Sequence, residues 1–295
     1  MSTDLRNWIS DRDEPQINGI IEAGECLIGR GVVVEEGALI RGINGPAKRI
    51  VLGDYCYIGR EVRILTPEFR LGDYSKFHAF SFAHGDKPLQ IGRNCWIGGN
   101  TVLDSLGGLD IDDNVGIGAH SQLWTHIQFG DLVEGCRFHS RKYMHVGKDA
   151  WFVGHCIVSP VRVGERSMAL IGSVVTKDML PNRVYGGVPA RDATDVFGPQ
   201  FETRTVFQKA EKLQELVDAF VAKFPQYQNQ LAVATSPAEI PEDICCFDLS
   251  DRTYTRTYSE AEVAFLRAHI PLIKFAPKGE PPFVEPQQQL EAIPS

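Results

Sequence analysis

The chain has 295 residues, of which 43% are hydrophobic and 23% charged. This composition is typical of a folded protein with room for one large domain or two ordinary ones. The formal net charge of −8 argues against a nucleic-acid partner, because nucleic-acid-binding proteins usually present a basic face to the phosphates. The sequence shows neither a signal peptide nor an apolar run of about 18 residues, so we expect a cytoplasmic protein without a membrane partner.

The 7 cysteines are scattered and include no Cys-x-x-Cys pair. This pattern argues against a disulfide framework and against a zinc knuckle.

Residues 1–27 show no clear repeat, and we predict that they form an N-terminal lead-in. From there to residue 195 the sequence repeats with a period of six. Each unit has an aliphatic or aromatic residue first, often Gly second, and a small residue fifth. The units begin at Ile28, Val34, Ile40, Leu52, Ile58, Ile64, Leu71, Phe77, Ile91, Ile97, Ile111, Ile117, Val146, Phe152, Val158, Val163, Ala169 and Val175.

A six-residue unit fits one short strand and one corner of a three-sided coil, whose first and fifth side chains point inward. An amphipathic helix would repeat every 3.6 residues, and a sandwich strand every two. The repeat therefore predicts a mainly β fold, a parallel β-helix of about seven coils between Ile28 and Val175.

The repeat is interrupted once at length, between Leu123 and Val146, and more briefly at residues 43–49, 83–88 and 104–110. Function in a solenoid usually lies where loops leave the coil, so we expect the active residues near these breaks.

After residue 195 the repeat stops, and we predict an α+β appendage over residues 196–295. A helix is expected over 201–224, a strand within 246–258, and a capped helix after Ser259. The tail after Lys278 is rich in Pro and Gln and is expected to be loose. The sequence assigns this appendage no function.

Four stretches carry a family resemblance. The string Gly172-Ser-Val-Val-Thr-Lys-Asp178 is followed by Pro181-Asn182 and by Gly187-Val-Pro-Ala-Arg191, and the long break opens with Leu123-Trp-Thr-His126. Together with the repeat, residues 28–192 resemble the hexapeptide-repeat acyltransferases, above all the galactoside, maltose and nodulation-factor O-acetyltransferases. The resemblance implies a left-handed coil, a homotrimer, and acetyl-CoA as co-substrate without a metal.

By the same resemblance His126 is the catalytic base, since an imidazole can take the proton of a sugar hydroxyl as it attacks a thioester. Asn100, Asp104 and Trp124 are the expected contacts to a saccharide-type acceptor. The alternatives are that His126 is a loop histidine without a role, and that Asn100 is a normal corner residue.

The cofactor residues implied are Gly154, Ile171 and Gly172, whose backbone could satisfy the amides of the pantetheine arm. Thr176, Lys177 and Arg191 would hold the phosphates. The alternative is that the segment ending at Arg191 only caps the end of the coil.

Two other functions are compatible with the repeat. A γ-type carbonic anhydrase shares such a coil, and His84, His120 and His126 would be its zinc ligands, although their spacing differs from that family's. A non-catalytic scaffold is the second. The identity of the acceptor, the choice between hydroxyl and amine, and the acyl group transferred stay open.

Overall fold

Residues 13–201 wind into a three-sided parallel β-helix in the computed structural model, which describes residues 13–285 apart from Ile240 and Glu242. The described residues divide into two units: residues 13–201 with 282–285, and residues 202–281. The prediction of a mainly β, left-handed parallel β-helix is confirmed. Residues 1–12 of the expected lead-in lie outside the described residues.

The coil has three faces of short strands, each strand paired with its equivalent in the next coil. The first face comprises Gln16–Ile17, Val33–Val34, Tyr57–Ile58, Lys76–Phe77, Trp96–Ile97, Gly116–Ile117, Trp151–Phe152, Met168–Ala169 and Val184–Gly186, followed by antiparallel Arg191–Asp192. The second comprises Ile20–Ile21, Leu39–Arg41, Arg63–Leu65, Phe82–His84, Val102–Asp104, Gln122–Leu123, Ile157–Val158 and Val174–Val175. The third comprises Ala23–Ile28, Ala47–Leu52, Glu68–Leu71, Leu89–Ile91, Leu109–Ile111, Met144–Val146 and Arg162–Val163.

The first residue of each repeat points into the prism, as predicted. Ile58, Phe77, Ile97 and Ile117 stack in consecutive coils of the first face and are all 0% exposed. Ile28 is 37% exposed, because its strand lies at the edge of the third face and has a neighbouring strand on one side only among the described residues. Inward stacking of this kind hides the apolar residues of each coil against the next.

The coil begins earlier than residue 28. Gln16–Ile17, Ile20–Ile21 and Ala23–Ile28 pair with the strands of the next coil and form a first coil within the expected lead-in. The second face has 8 strands, so the described residues form eight coils, seven of which follow Ile28.

All the interruptions of the repeat leave the coil at the same corner, between the second and third faces. In the coils that follow Ile28, the strands at the other two corners follow one another at the regular spacing, whereas this corner carries the breaks after Arg41, Leu65, His84, Asp104 and Leu123. In the first coil the corner between the first two faces is two residues shorter, since Ile17 and Ile21 pair with Val34 and Ile40. The fold therefore stacks its loops along one edge of the prism.

The C-terminal tail departs from the expectation that it is loose after Lys278. The Phe283 ring lies 5.0 Å from the guanidinium of Arg70, and Gln90 exchanges hydrogen bonds with the backbone of Glu285 at 2.6 and 3.1 Å. Residues 282–285 thus pack on the third face, and residues 286–295 lie outside the described part of the chain.

The second unit is a small α+β domain. Its four-stranded sheet has the order Leu231–Ala234, Cys245–Asp248, Thr253–Tyr254 and Ala276–Pro277. Its helices are Val206–Lys223 and Glu260–His269, with short 3₁₀ turns at Pro225–Tyr227 and Pro237–Glu239; a further short helix, Thr194–Phe197, follows the last strand of the coil. No helix of the described chain is long and apolar enough to cross a membrane.

The helix expected over 201–224 begins only at Val206, because Thr205 closes a capping box with Gln208. The second helix is capped by Ser259 as predicted: its hydroxyl accepts a hydrogen bond from the Glu262 amide.

Candidate active site

The long break folds into a β-hairpin that stands at the loop-bearing corner. Its strands, His126–Gln128 and His139–Arg141, pair antiparallel, with His126 opposite Arg141. The Arg141 guanidinium donates a 2.7 Å hydrogen bond to Asp86, which lies in the break two coils earlier. The hairpin is therefore tied to the neighbouring loops, and the breaks after His84, Asp104 and Leu123 meet at one place.

His126 and Asp104 lie at the centre of this cluster of loops. The Nδ1 atom of His126 lies 2.8 Å from Oδ2 of Asp104. The same carboxylate oxygen accepts hydrogen bonds of 2.7 Å from both the amide and the hydroxyl of Thr125. The Thr125 hydroxyl in turn accepts a 2.8 Å bond from the Gly107 amide, so three successive pieces of chain fix the position of the imidazole.

The Asp104 carboxylate is fully buried and is nevertheless held in its ionised form. Burial alone would raise its pKa, but hydrogen bonds from His126, Thr125 and the Leu106 amide outweigh this effect and lower the pKa. An ionised Asp104 accepts the Nδ1 proton of His126, and Nε2 is then the basic nitrogen of the ring.

The three predicted acceptor contacts differ in burial and in their distance from His126. Asp104, an expected acceptor contact, has a side chain that is 0% exposed and lies behind the His126 ring, within hydrogen-bond distance of its Nδ1. The Trp124 ring lies 6.1 Å from the His126 ring, and its indole N–H donates to Gln122 at 3.1 Å. Asn100 is an exposed corner residue with φ of 57°, on the far edge of the second face.

The predicted cofactor residues lie along both edges of the second face, in the coils that follow His126. Gly154 and Ile171–Gly172 occupy the same corner in successive coils, and the Gly172 amide donates to the Gly154 carbonyl at 3.0 Å. Gly172 is exposed, with φ of 71° and no atom within 4 Å of the position of a Cβ. Thr176 and Lys177 are exposed at the opposite corner.

Arg191, the remaining predicted phosphate contact, is also exposed. It lies on the antiparallel strand that follows the Val188–Pro189 cis peptide. The Ala190 amide next to it donates to the Val174 carbonyl of the second face at 2.8 Å.

The three histidines of the zinc alternative are not brought together. The His84 and His126 rings are 6.5 Å apart, whereas His120 stacks on His155 at 4.8 Å on the far corner. No group of three His, Cys, Asp or Glu side chains within the described ranges is arranged to hold a metal ion.

Two residues of this candidate site were not singled out from the sequence. Gln122 points outward from the second face beside Trp124, and Thr125 shares the Asp104 carboxylate with His126. The available signal for Gln122 was its place just before the inward Leu123, which directs it to the outer surface of the strand.

No family model matches the chain. It is 33% identical over 114 residues to galactoside O-acetyltransferase of Escherichia coli, covering 37% of this chain and 55% of that protein. It is 27% identical over 181 residues to the bifunctional protein GlmU of Anaplasma marginale, covering 61% of this chain and 32% of that protein. The chain thus spans about half the length of the first of these relatives and about a third of the second.

Among solved structures, the chain is similar to the polysialic acid O-acetyltransferase OatWY, with a TM-score of 0.42 at 17% identity over 66% of this chain and 92% of that one. It is also similar to a hexapeptide-repeat acetyltransferase of Vibrio cholerae complexed with acetyl-CoA, with a TM-score of 0.34 at 20% identity over 48% and 68% of the two chains.

Proposed function

We propose that this chain, which is related to the hexapeptide-repeat acetyltransferases, transfers the acetyl group of acetyl-CoA to a hydroxyl or amine of a saccharide-type acceptor, with His126 as the general base. The observation that carries the proposal is the hydrogen-bonded pair of His126 and Asp104 at the loop-bearing corner. Acetyl-CoA would supply a thioester whose carbonyl carbon is the electrophile.

The chemistry needs one basic nitrogen. Nε2 of His126 takes the proton of the acceptor hydroxyl as its oxygen attacks the thioester carbonyl. When the tetrahedral adduct collapses, the C–S bond breaks, and the imidazolium returns its proton to the departing CoA thiolate. Asp104 stabilises the imidazolium through Nδ1 while the proton is on the ring, and general-base help of this kind contributes about 10²–10⁴-fold in rate.

The order of residues along the prism supports a site with two parts, one for acetyl-CoA and one for the acceptor. Asp104 and the hairpin of His126 lie in the fifth and sixth coils, whereas Gly154 and Ile171–Gly172 lie in the seventh and eighth. We assign the later coils to acetyl-CoA: backbone groups near Gly172 bind the pantetheine arm, and Lys177 and Arg191 bind the phosphates. The earlier coils then face the acceptor.

The assembly proposed is a homotrimer, as in the family that the sequence resembles. Light scattering of the purified chain tests it directly, and a monomer that is fully active would overturn it.

The proposed activity is tested by thiol release from acetyl-CoA with a panel of sugars, nucleotide-sugars and amino acids, before and after treatment with a chelator. We expect release that depends on a saccharide and is unaffected by metal removal. Zinc bound at one equivalent per chain, with carbon dioxide hydration that is lost on chelation, would favour the carbonic anhydrase alternative. Absence of both activities would favour a scaffold.

A further inference from the structure

His84 lies next to the catalytic pair, on the side away from the proposed acetyl-CoA residues. It belongs to the strand Phe82–His84 in the fourth coil, directly opposite Asp104 of the fifth coil in the register of the second face. Its ring is 6.5 Å from that of His126, with the two planes at 85°. His84 and Gly172 are therefore on opposite sides of His126 along the prism axis.

The two imidazole rings are close to one another but are not hydrogen-bonded to each other. Their centroid separation is too large for a direct hydrogen bond between the rings, because a hydrogen bond needs a donor–acceptor distance of about 2.8 Å. Asp104 already accepts bonds from Thr125, Leu106 and His126. No described residue forms a hydrogen bond with the His84 ring.

The His84 ring is half-buried and neutral. Burial lowers its pKa; the Asp104 carboxylate opposes this effect, while His126 adds to it. A neutral imidazole offers one N–H donor and one acceptor nitrogen, which suits it to a sugar hydroxyl that both donates and accepts.

Phe82 provides an apolar surface next to the His84 ring. It points outward on the same side of the strand as His84, and the two rings are stacked at 4.9 Å with an angle of 15°. Ala83 between them is 0% exposed and points into the prism. An aromatic ring beside a hydrogen-bonding group is the combination that binds the apolar face and the hydroxyl rim of a sugar.

We propose that His84 binds the acceptor saccharide by hydrogen-bonding a hydroxyl next to the one that His126 deprotonates, while the sugar ring packs on Phe82. This inference rests on the proposed acetyltransferase function and adds the residue that selects a polyhydroxylated acceptor. His84 contacts the acceptor and takes no part in the proton transfer.

The test uses the full chain with acetyl-CoA and, as acceptor probes, methyl β-galactoside and maltose. His84→Ala is expected to raise the KM for the sugar about 3- to 10-fold, the effect of losing one neutral hydrogen bond, and to leave the KM for acetyl-CoA unchanged. His84→Gln, which keeps a neutral donor and acceptor, is expected to recover part of the loss. Phe82→Leu should raise the KM for the sugar in the same direction.

The matched control is His78→Ala. His78 is also half-buried, burial likewise lowers its pKa, and it packs on an aromatic ring, Trp96 at 4.2 Å, but it lies on the first face. This variant should keep both KM values.

Three outcomes would overturn the proposal, and they are distinguishable. If the wild type acetylates a sugar but His84→Ala keeps the same KM for it, His84 does not bind the acceptor. If the wild type acetylates neither these two sugars nor any sugar or nucleotide-sugar of the panel above, the saccharide acceptor of the proposed function is wrong, and the role of His84 falls with it. A fall in kcat with equal rises in both KM values, together with a lower melting temperature, would mark His84 as structural only.

Discussion

His126 and Asp104 are 22 residues apart in sequence, yet Nδ1 of the first lies 2.8 Å from Oδ2 of the second. The contact forms because the hairpin leaves the sixth coil directly above the end of the strand Val102–Asp104 in the fifth. Stacking of coils, rather than proximity in sequence, creates the pair.

Replacement of His126 by Ala should lower kcat for acetyl transfer by roughly 10²–10⁴-fold, because the acceptor loses its general base. The KM for acetyl-CoA should stay unchanged. Steady-state kinetics of the assembled protein measure both, and His139→Ala, on the other strand of the same hairpin, is the control. A near-normal kcat for His126→Ala would show that another group is the base.

Asp104→Asn should reduce kcat even though the geometry around it is kept. A neutral amide lacks the negative charge with which the carboxylate stabilises the imidazolium, so we expect a loss approaching that of His126→Ala, up to about 10²–10⁴-fold. Asp112→Asn breaks a similar pair, with Oδ2 3.0 Å from Nε2 of His145, on the third face. Equal activity losses in the two variants would argue against a specific role for Asp104.

Lys177→Ala and Arg191→Ala should each raise the KM for acetyl-CoA more than the KM for the acceptor. Both side chains are exposed in the last coils, and the loss of a charged contact to a phosphate costs about 1.5–3 kcal/mol where the contact is made. Arg60→Ala removes an exposed cation, paired with Glu36 in the early coils, and should change neither value. Equal effects on both substrates would contradict a phosphate-binding role.

The pair of His145 and Asp112 predicts a pH-dependent stability. The hydrogen bond to Asp112, opposed by burial, raises the pKa of His145 above its usual 6.5. The stabilisation is therefore complete below the pKa of the unfolded chain and is lost as the pH rises through the folded pKa. Because the pair is only half-buried and solvent screens it in part, the melting-temperature advantage over His145→Gln should be about 1 °C at pH 5.5 and absent at pH 9. An advantage that grows with pH would contradict this assignment.

Ile64→Ala should destabilise the coil by about 2–5 kcal/mol, since it removes a side chain that is 0% exposed in the stacked core. Its neighbour Arg63 points outward from the same strand and is exposed, so Arg63→Ala should change the unfolding free energy by less than about 0.5 kcal/mol. Chemical denaturation measures the difference. Similar losses in the two variants would mean that Ile64 is not part of a close-packed column.

The repeat predicted most of the fold because a period of six states directly which side chains point inward. Ile97 and Ile117 follow this rule and are fully buried. The first coil escaped recognition because the segment from Gln16 to Ile28 lacks the Gly and the small fifth residue in phase. Its residues are mostly exposed or half-buried, so the constraint on residue type is weaker there.

The site was only partly predictable, for a different physical reason. The resemblance named His126 as the base and Asp104 as an acceptor contact, and it did not indicate that the two side chains are paired. A carboxylate's role depends on which atoms surround it in the neighbouring coils, and the six-residue period says nothing about the length or path of the loops. The ring of His84 comes near His126 through the same stacking, over a distance of more than forty residues in sequence.

Because the loops all leave the prism at one corner, the residues that can contact an acceptor are separate from the stacked core that sets the shape of the prism. The chain leaves the prism after Leu123 and rejoins it at Met144, and both residues are 0% exposed and stay in phase with the coils above and below. Loops at that edge can therefore be lengthened, shortened or exchanged without shifting the register of the core. A prism of this kind could be refitted for new acceptors by grafting loops alone, with acetyl-CoA binding and the stacked interior carried over unchanged.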